Sequence, residues 1–182
     1  MYGIINKSIK ELVEANYGEE KWEEIKEKSN IDTEYFISSE VYDDDITFTL
    51  AVTTASELGV TVDDVLQLFG EWWILHTCKN HYGYLLESGG DNFKTFILNL
   101  PSFHNRVMMM YPKLTPPEFK VSNVLDQSLH LHYFSQRKGL TAFVHGLMFG
   151  LGKFFSTEVQ TEHLESVKSN STHEIIKVTW VK

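Results

Sequence analysis

The chain has 182 residues, a formal net charge of −9 and 42% hydrophobic residues. This length is sufficient for one domain with a core large enough to enclose a cofactor. The acidic balance, together with the lack of a Lys/Arg stripe that could follow phosphates, argues against a nucleic-acid-binding protein.

Cysteine usage and apolar stretches indicate the compartment. Cys78 is the only cysteine, so no internal disulfide can form and a reducing cytosol is the natural environment. The first residues lack the basic region and long apolar run of a signal peptide. The longest apolar stretch, Leu140 to Phe155, is interrupted by His145 and Lys153 and is shorter than a bilayer span. We therefore expect a cytoplasmic protein without a membrane anchor.

The first predicted elements are helices. Helical spacing of Ile5, Ile9, Leu12 and Val13 predicts a helix that ends at Gly18, since glycine commonly terminates helices. A second short helix is predicted from Glu20 to Lys28.

The acidic run Asp43-Asp44-Asp45 lacks the Gly and distal Glu of a calcium loop and is better explained as helix N-terminal capping. The following segment, Ile46 to Thr54, is compatible with a strand or a helix, and we favour a helix. Thr61 and Asp64 resemble a capping box. They begin an amphipathic helix that is predicted to end near Cys78.

The middle of the chain carries glycine punctuation at Tyr82-Gly83 and Gly89-Gly90. A short helix is predicted over Asp91 to Asn99. Asn99 then resembles the cap of a further helix that has Pro101 in its first turn.

The second half of the chain changes to strand patterns beyond Pro116-Pro117. Two strands, Glu118 to Val124 and Gln127 to Gln136, precede a helix over Gly139 to Leu151. A final hairpin is predicted from Phe154 to Glu165 and from His173 to Val181. The order of elements predicts an α+β fold in a single domain, residues 1–182, with a helical lobe over 1–60 and helices plus a four-stranded antiparallel sheet over 61–182.

The segment Tyr133-x-Ser135-x-Arg137 is a candidate binding site. If its backbone is extended, alternate side chains bring a phenol, a hydroxyl and a guanidinium to one face. Leu129 and Leu131 precede them on that face, as expected where a flat apolar ligand ends in carboxylates. Haem has that shape, and its propionates suit an arginine. The alternative, a half-exposed strand facing water, is favoured if this segment is taken alone.

His104 has the most informative context among the eight histidines. On the helix after Pro101 it shares a side with Leu100, Val107 and neighbouring apolar residues, an environment that suits a single axial ligand to haem iron. The alternative is a satisfied core histidine, which is more common.

Other histidines are weaker candidates. His130 and His132 would share a strand face and could hold zinc with a third ligand, but we expect solvated surface residues because no partner is suitably spaced. His76, His81, His145, His163 and His173 show no partner pattern. The sequence also lacks a nucleophile elbow, a P-loop and a complete dinucleotide fingerprint.

His104 on a helix, Pro117 thirteen residues later and the Tyr133-x-Ser135-x-Arg137 motif together resemble the haem-nitric oxide/oxygen-binding (H-NOX) family. These are bacterial gas sensors related to the haem domain of soluble guanylate cyclase. The resemblance extends to the start Met1 to Asn6, the block Phe69 to Trp73 and the end of the chain.

The resemblance implies a set of roles around ferrous haem b, buried between the two lobes. His104 would be the proximal iron ligand, and Tyr133, Ser135 and Arg137 would bind the propionates. Pro117 and Ile5 would contact the porphyrin. Binding of NO would release His104, and the helical lobe would shift against the sheet lobe.

Two further positions bear on the choice of gas. O2-binding relatives place a distal Tyr where this sequence aligns Ala142, which cannot donate a hydrogen bond. We therefore expect NO and CO binding with little stable O2 binding. Trp73 also aligns with the distal pocket, where its indole could donate a hydrogen bond, but we favour apolar packing.

The resemblance implies a sensor without enzymatic activity of its own. It would regulate a separate signalling enzyme, typically a histidine kinase or a cyclic-di-GMP enzyme. The alternatives are a haem enzyme, such as a peroxidase or NO-detoxifying protein, and a haem-free interaction module. A haem enzyme would need a distal acid-base residue, and the sequence shows no evident candidate.

Overall fold

In this computed structural model the chain is described over residues 1–110, 116–166 and 173–181, apart from the side chains at 108, 110, 165 and 166. Seven α-helices and four β-strands occupy these residues. The helices are α1 (Gly3–Tyr17), α2 (Glu19–Lys28), α3 (Asp44–Leu58), α4 (Val62–Trp72), α5 (Lys79–Glu87), α6 (Phe93–Met110) and α7 (Thr141–Phe154). The strands are β1 (Glu118–Ser122), β2 (Ser128–Phe134), β3 (Glu158–Ser166) and β4 (His173–Val181). This arrangement confirms the predicted α+β class.

The strands form one antiparallel sheet in the order β1-β2-β4-β3. One face of β2 carries Leu129, Leu131 and Tyr133, all buried, because alternate residues of a strand point to the same side. The predicted loop of the last hairpin, around Ser169 to Ser171, lies outside the described residues.

Two hydrophobic clusters form the core. The first joins the buried sheet face to α6 and α7, and includes Phe96, Leu131 and Met148. The second lies among the N-terminal helices, around Ile9, Trp22 and Leu50. Trp73 packs against both clusters. It therefore lies where the helical lobe meets the sheet lobe.

The N-terminal helix signals are confirmed. α1 ends at Gly18, which has φ = 88°. Asp43 caps α3 by accepting a hydrogen bond from the Asp45 amide, and Thr61 and Asp64 form the predicted capping box. The ambiguous segment, Ile46 to Thr54, is helical within α3.

The helix after the capping box does not end near Cys78. α4 passes into a π-helical segment, Trp73–Cys78, and then directly into α5. Tyr82 and Gly83, which were predicted to separate two helices, lie inside α5, where Tyr82 forms a kink with φ = −137°. π-Helical turns accommodate an extra residue without ending a helix, so the pattern of apolar residues shifts while the helix continues.

The prediction of two helices around Pro101 is wrong. α6 runs unbroken from Phe93 to Met110 with Pro101 inside it. Asn99 is not a cap, because its side-chain amide instead donates to the Gly89 carbonyl over 3.0 Å. Burial of Phe93, Phe96 and Ile97 offsets the backbone hydrogen bond that proline removes.

α7 crosses α4 at very short range through glycines. A Cβ atom on Gly146 would lie 2.0 Å from the Gln67 carbonyl oxygen, and one on Gly70 would lie 2.2 Å from that of Phe143. The two backbones therefore approach more closely than any other residue would permit. This contact fixes α7 between the helical lobe and the sheet.

Candidate functional site

A row of rings connects the middle of α6 to the centre of the sheet. The His104 and Phe119 ring centroids are 5.0 Å apart, and those of Phe119 and Tyr133 are 5.4 Å apart. Phe119 on β1 pairs directly with Tyr133 on β2, so the sheet register sets the second contact. The structure thus brings the candidate iron ligand and the first candidate propionate ligand to one site.

His104 is held in its neutral form. Burial is the larger effect on its pKa and lowers it to about 4, whereas the Leu100 carbonyl one turn earlier acts to raise the pKa. Nδ1 is buried and makes no hydrogen bond to the described residues. At neutral pH the imidazole therefore keeps a lone pair that can bind a metal.

The motif that follows Tyr133 is not one continuous strand face. β2 ends at Phe134, so the prediction of an extended strand to Gln136 is wrong. The chain turns instead. The Ser135 hydroxyl accepts a 3.0 Å hydrogen bond from the Arg137 amide and is also hydrogen-bonded to the Tyr133 phenol. The turn, rather than strand alternation, gathers the phenol and the hydroxyl beside the start of Arg137.

The Tyr133 phenol is neutral over the physiological range. Burial raises its pKa, while the Ser135 hydrogen bond and the Arg137 charge act against that shift. A neutral phenol keeps its proton and can donate a hydrogen bond to a carboxylate.

Arg137 forms an ion pair with Asp44, the first residue of α3. Its Nε donates to Asp44 Oδ2 over 2.6 Å, and Nη2 lies 3.4 Å from Oδ1. Burial acts to raise the Asp44 pKa, but hydrogen bonds from Arg137 and the Met1 amine outweigh it and hold the pKa below its ordinary value. This pair links the helical lobe to the end of β2.

Sequence analysis missed Asp44 as a site residue. It interpreted the whole acidic run as helix capping, a role that the neighbouring Asp43 performs. Asp44 and Arg137 are 93 residues apart in sequence, so no local pattern could reveal their contact.

The remaining predicted residues lie on other elements of the fold. Pro117 is partly buried two residues before Phe119, and Ile5 packs against the N-terminal cluster. Trp73 lies edge-on to Phe69 at 6.1 Å. Ala142, in the first turn of α7, precedes Phe143, whose ring is 5.1 Å from that of Phe69. The two candidate distal residues are thus connected through one aromatic pair.

The donor set fits haem. Among the described residues, no group of three or more His, Cys, Asp or Glu side chains could hold a metal ion. One neutral histidine in apolar surroundings suits a metal whose other equatorial donors come from a porphyrin. Tyr133, Ser135 and Arg137 supply neutral and cationic groups suited to carboxylates.

Two histidines outside the site have partners that the sequence did not reveal. His132 Nδ1 lies 2.9 Å from His173 Nε2, and His132 Nε2 lies 2.7 Å from the Ser122 hydroxyl. The prediction of a solvated surface residue is therefore wrong for His132, and His173, for which the sequence showed no partner pattern, is its partner. The contact crosses from β2 to β4, because His173 pairs with Phe134, which lies two residues after His132.

The fold, the row of rings and the donor set together define a class of protein, an α+β domain whose residues suit haem. A family model described as "Haem-NO-binding" matches residues 2–163. The chain belongs to this family, whose solved members are called H-NOX proteins. Family members bind haem and form gas-sensor domains.

Among curated proteins the chain is similar to soluble guanylate cyclases of Caenorhabditis elegans. It is 32% identical to gcy-32 over 151 residues, which is 81% of this chain and 22% of gcy-32. It is 30% identical to gcy-34 over 183 residues, which is 96% of this chain and 27% of gcy-34. The chain thus spans about a quarter of the length of these relatives.

Solved structures share the fold over the whole chain. An H-NOX protein from S. oneidensis in its Fe(II)NO state matches with a TM-score of 0.88 and 22% identity, covering 100% of both chains. The unliganded Fe(II) H-NOX protein from K. algicida matches with a TM-score of 0.87 and 23% identity, covering 100% of this chain and 97% of that one. Among the helices that the structure describes, none is long and apolar enough to cross a membrane.

Proposed function

We propose that this domain binds ferrous haem b through His104 and senses NO, and also CO, by release of that histidine. The observation that carries the proposal is the neutral, partly buried His104 at one end of the row that leads to Tyr133. Membership of the haem-NO-binding family supports the same conclusion. When bound, haem would supply an iron atom that can accept a diatomic gas, and His104 would hold that iron.

Other residues hold and shape the cofactor. Tyr133, Ser135 and Arg137 bind the propionates, and Arg137 does so while facing Asp44. Pro117 and Ile5 contact the porphyrin from the sheet side and the helical side. Each of these assignments rests on the family motif together with the position of the residue.

Release of His104 is transmitted by the element that carries it. The His104 ring contacts Phe119 on β1, so a change in how His104 holds the haem would be passed from α6 to β1. The Arg137–Asp44 pair connects the same end of the sheet to α3. The helical lobe consequently shifts against the sheet lobe, as a change of population between two packings.

The walls near Phe69 determine which gases are held. The methyl group of Ala142 cannot donate a hydrogen bond, and Trp73 is engaged in apolar packing against both clusters. Bound O2 carries partial negative charge that needs such a donor, whereas NO and CO need it much less. We therefore propose NO and CO as ligands, with little stable O2 binding.

The output is regulation of a separate signalling enzyme, either a histidine kinase or a cyclic-di-GMP enzyme, and the domain itself is not an enzyme. The similar guanylate cyclases support a link to signalling. A cytoplasmic location suits a chain whose single cysteine cannot form an internal disulfide. Burial raises the pKa of that thiol, Cys78, to about 12 and keeps it unreactive.

Absorption spectroscopy of the purified chain tests this proposal. Protein produced with ample haem should show a Soret band, and NO added to the ferrous form should shift it to the position of a complex that has lost its histidine ligand. The ferrous form in air should not convert to a stable O2 complex. Protein that takes up no haem under these conditions would refute the proposal.

Substitution of the proposed ligand provides a second test. His104→Gly removes the imidazole and should abolish stable haem retention, while free imidazole in the buffer should restore it. His130→Gly, on the sheet, is the matched control and should retain haem like the unaltered chain. Equal haem content and an unchanged spectrum in His104→Gly would contradict the assignment.

A further inference from the structure

The helical lobe contains an apolar groove outside the haem site. It has a volume of about 240 Å³ and lies between α1, α3, α4 and the start of the π-helical segment. Its walls include Leu12, Tyr17, Leu58, Leu68, Trp72 and Leu75. Two of these, Leu68 and Tyr17, are about half exposed, at 49% and 48%. Exposed apolar side chains around a concave surface are typical of a binding groove.

The charge around this groove is strongly one-sided. Residues 1–72 contain 17 Asp and Glu residues and only five Lys, with no Arg, which gives a formal charge of −12. Since the whole chain carries −9, the remaining residues carry +3. Glu71 lies in the groove wall, where it forms an ion pair with Lys153 of α7, so the acidic character comes mainly from the surrounding lobe. An occupant of the groove therefore meets apolar walls within an acidic lobe.

These two features select one kind of occupant. Helices that dock in apolar grooves insert residues spaced three or four apart, and their other faces meet the rim. Basic residues on those faces would be attracted by the acidic lobe. If the same lobe of a second copy of this chain docked there, two surfaces that each carry a formal charge of −12 would repel one another. We propose that the groove binds a basic amphipathic helix of a protein partner.

The groove is well placed to couple such a partner to the haem site. Trp72, in its wall, directly precedes Trp73, which packs against both hydrophobic clusters. The helix continues from Trp72 through the π-helical segment, where the Thr77 hydroxyl is hydrogen-bonded to the Ser8 hydroxyl of α1. A helix in the groove would therefore contact the segment that lies between the lobes. We identify this partner with the signalling protein of the proposed function. That identification rests on the proposed function, whereas the binding of a basic helix does not.

A designed peptide tests the groove directly. The probe is a fluorescently labelled amphipathic helix of about 18 residues, five turns long, with Leu on one face and Lys on the other. Its binding to the haem-loaded full chain is followed by fluorescence anisotropy. We expect saturable binding that weakens with added salt. A peptide with Glu in place of every Lys should bind at least about tenfold more weakly.

Leu68→Glu separates groove packing from general charge attraction. This variant makes the lobe more acidic, so non-specific attraction of the Lys peptide should increase, whereas docking in the groove should weaken roughly tenfold or more because a carboxylate would be buried against Leu side chains. Leu125→Glu, at a 65% exposed apolar residue in the turn between β1 and β2, is the matched control and should bind like the unaltered chain. An unchanged Soret band and melting temperature establish that both variants are folded.

Several outcomes would overturn the proposal. These are equal peptide binding by Leu68→Glu and the unaltered chain, equal losses in Leu68→Glu and Leu125→Glu, or equal binding of the Lys and Glu peptides. A dimer in sedimentation experiments that dissociates on Leu68→Glu would assign the groove to a second copy instead. Because the measurement needs no NO, failure here leaves the gas-sensing proposal to its own spectroscopic test.

Discussion

Single residues at this site obtain their chemistry from burial. His104 would titrate near neutral pH in water, but burial lowers its pKa to about 4 and keeps the ring neutral. Tyr133 shows the converse, since burial raises the pKa of its phenol and preserves a donor. Both effects depend on surroundings that distant segments supply, and both leave the side chain in the form that haem requires.

Trp73 illustrates a residue whose size matters more than its indole N–H. Its ring lies edge-on to Phe69 at 6.1 Å and packs against both hydrophobic clusters. Trp73→Phe should therefore leave the NO spectrum and the lack of stable O2 binding unchanged, with a modest loss of thermal stability from the smaller ring. Stopped-flow absorption with each gas provides the measurement. A large change in O2 affinity would show that the indole donates to the ligand.

At the scale of elements, two helical junctions departed from the simplest sequence patterns. The π-helical segment joins α4 to α5, and α6 continues through Pro101. In both cases buried apolar side chains beside the junction keep the helix together, among them Leu86, Phe96 and Ile97. Propensity and punctuation predict where helices can begin and end, but packing decides whether they do.

The α4–α7 crossing depends on glycine, which leads to a stability prediction. Gly146→Ala would place a methyl carbon 2.0 Å from the Gln67 carbonyl oxygen, so the helices must separate, and we expect a loss of about 2 kcal/mol or more. Urea unfolding followed by circular dichroism measures the change. Gly83→Ala is the control, because nothing lies within 4 Å of its added carbon and alanine favours helix. Equal stability of Gly146→Ala and the unaltered chain would show that the crossing can relax.

At the scale of the whole molecule, few polar contacts join the helical lobe to the sheet, and Arg137–Asp44 is the most direct that the structure describes. The pair is partly exposed, at 25% and 35% of the side-chain surfaces, so solvent screening limits its contribution to about 1 kcal/mol. Its position matters more than its strength, since it joins the proposed propionate site to α3. A gas-dependent movement of one lobe would therefore be transmitted to the other lobe through the Arg137–Asp44 pair.

Acid titration tests this link. The folded-state pKa of Asp44 lies below its ordinary value, so the pair stabilises the fold above about pH 4 and is lost as the pH falls through that lowered pKa. Asp44→Asn should therefore lower the melting temperature at pH 7 and show a smaller decrease on acidification than the unaltered chain. Asp45→Asn is a neighbouring control. If both variants lose stability equally at pH 7, the ion pair has no special role.

The amino-acid sequence alone determined the fold class and the helix signals of the N-terminal part, and its resemblance to the H-NOX family singled out His104, Pro117, Tyr133, Ser135 and Arg137. These features depend on residues that are close together in sequence, through apolar periodicity, capping residues and short spacings. Only the tertiary structure decided that a turn gathers Ser135 and Arg137, that Asp44 pairs with Arg137, and that His132 meets His173. The two pairings join residues far apart in sequence, and the pKa of His104 likewise depends on burial, so packing of the whole chain has to be known first.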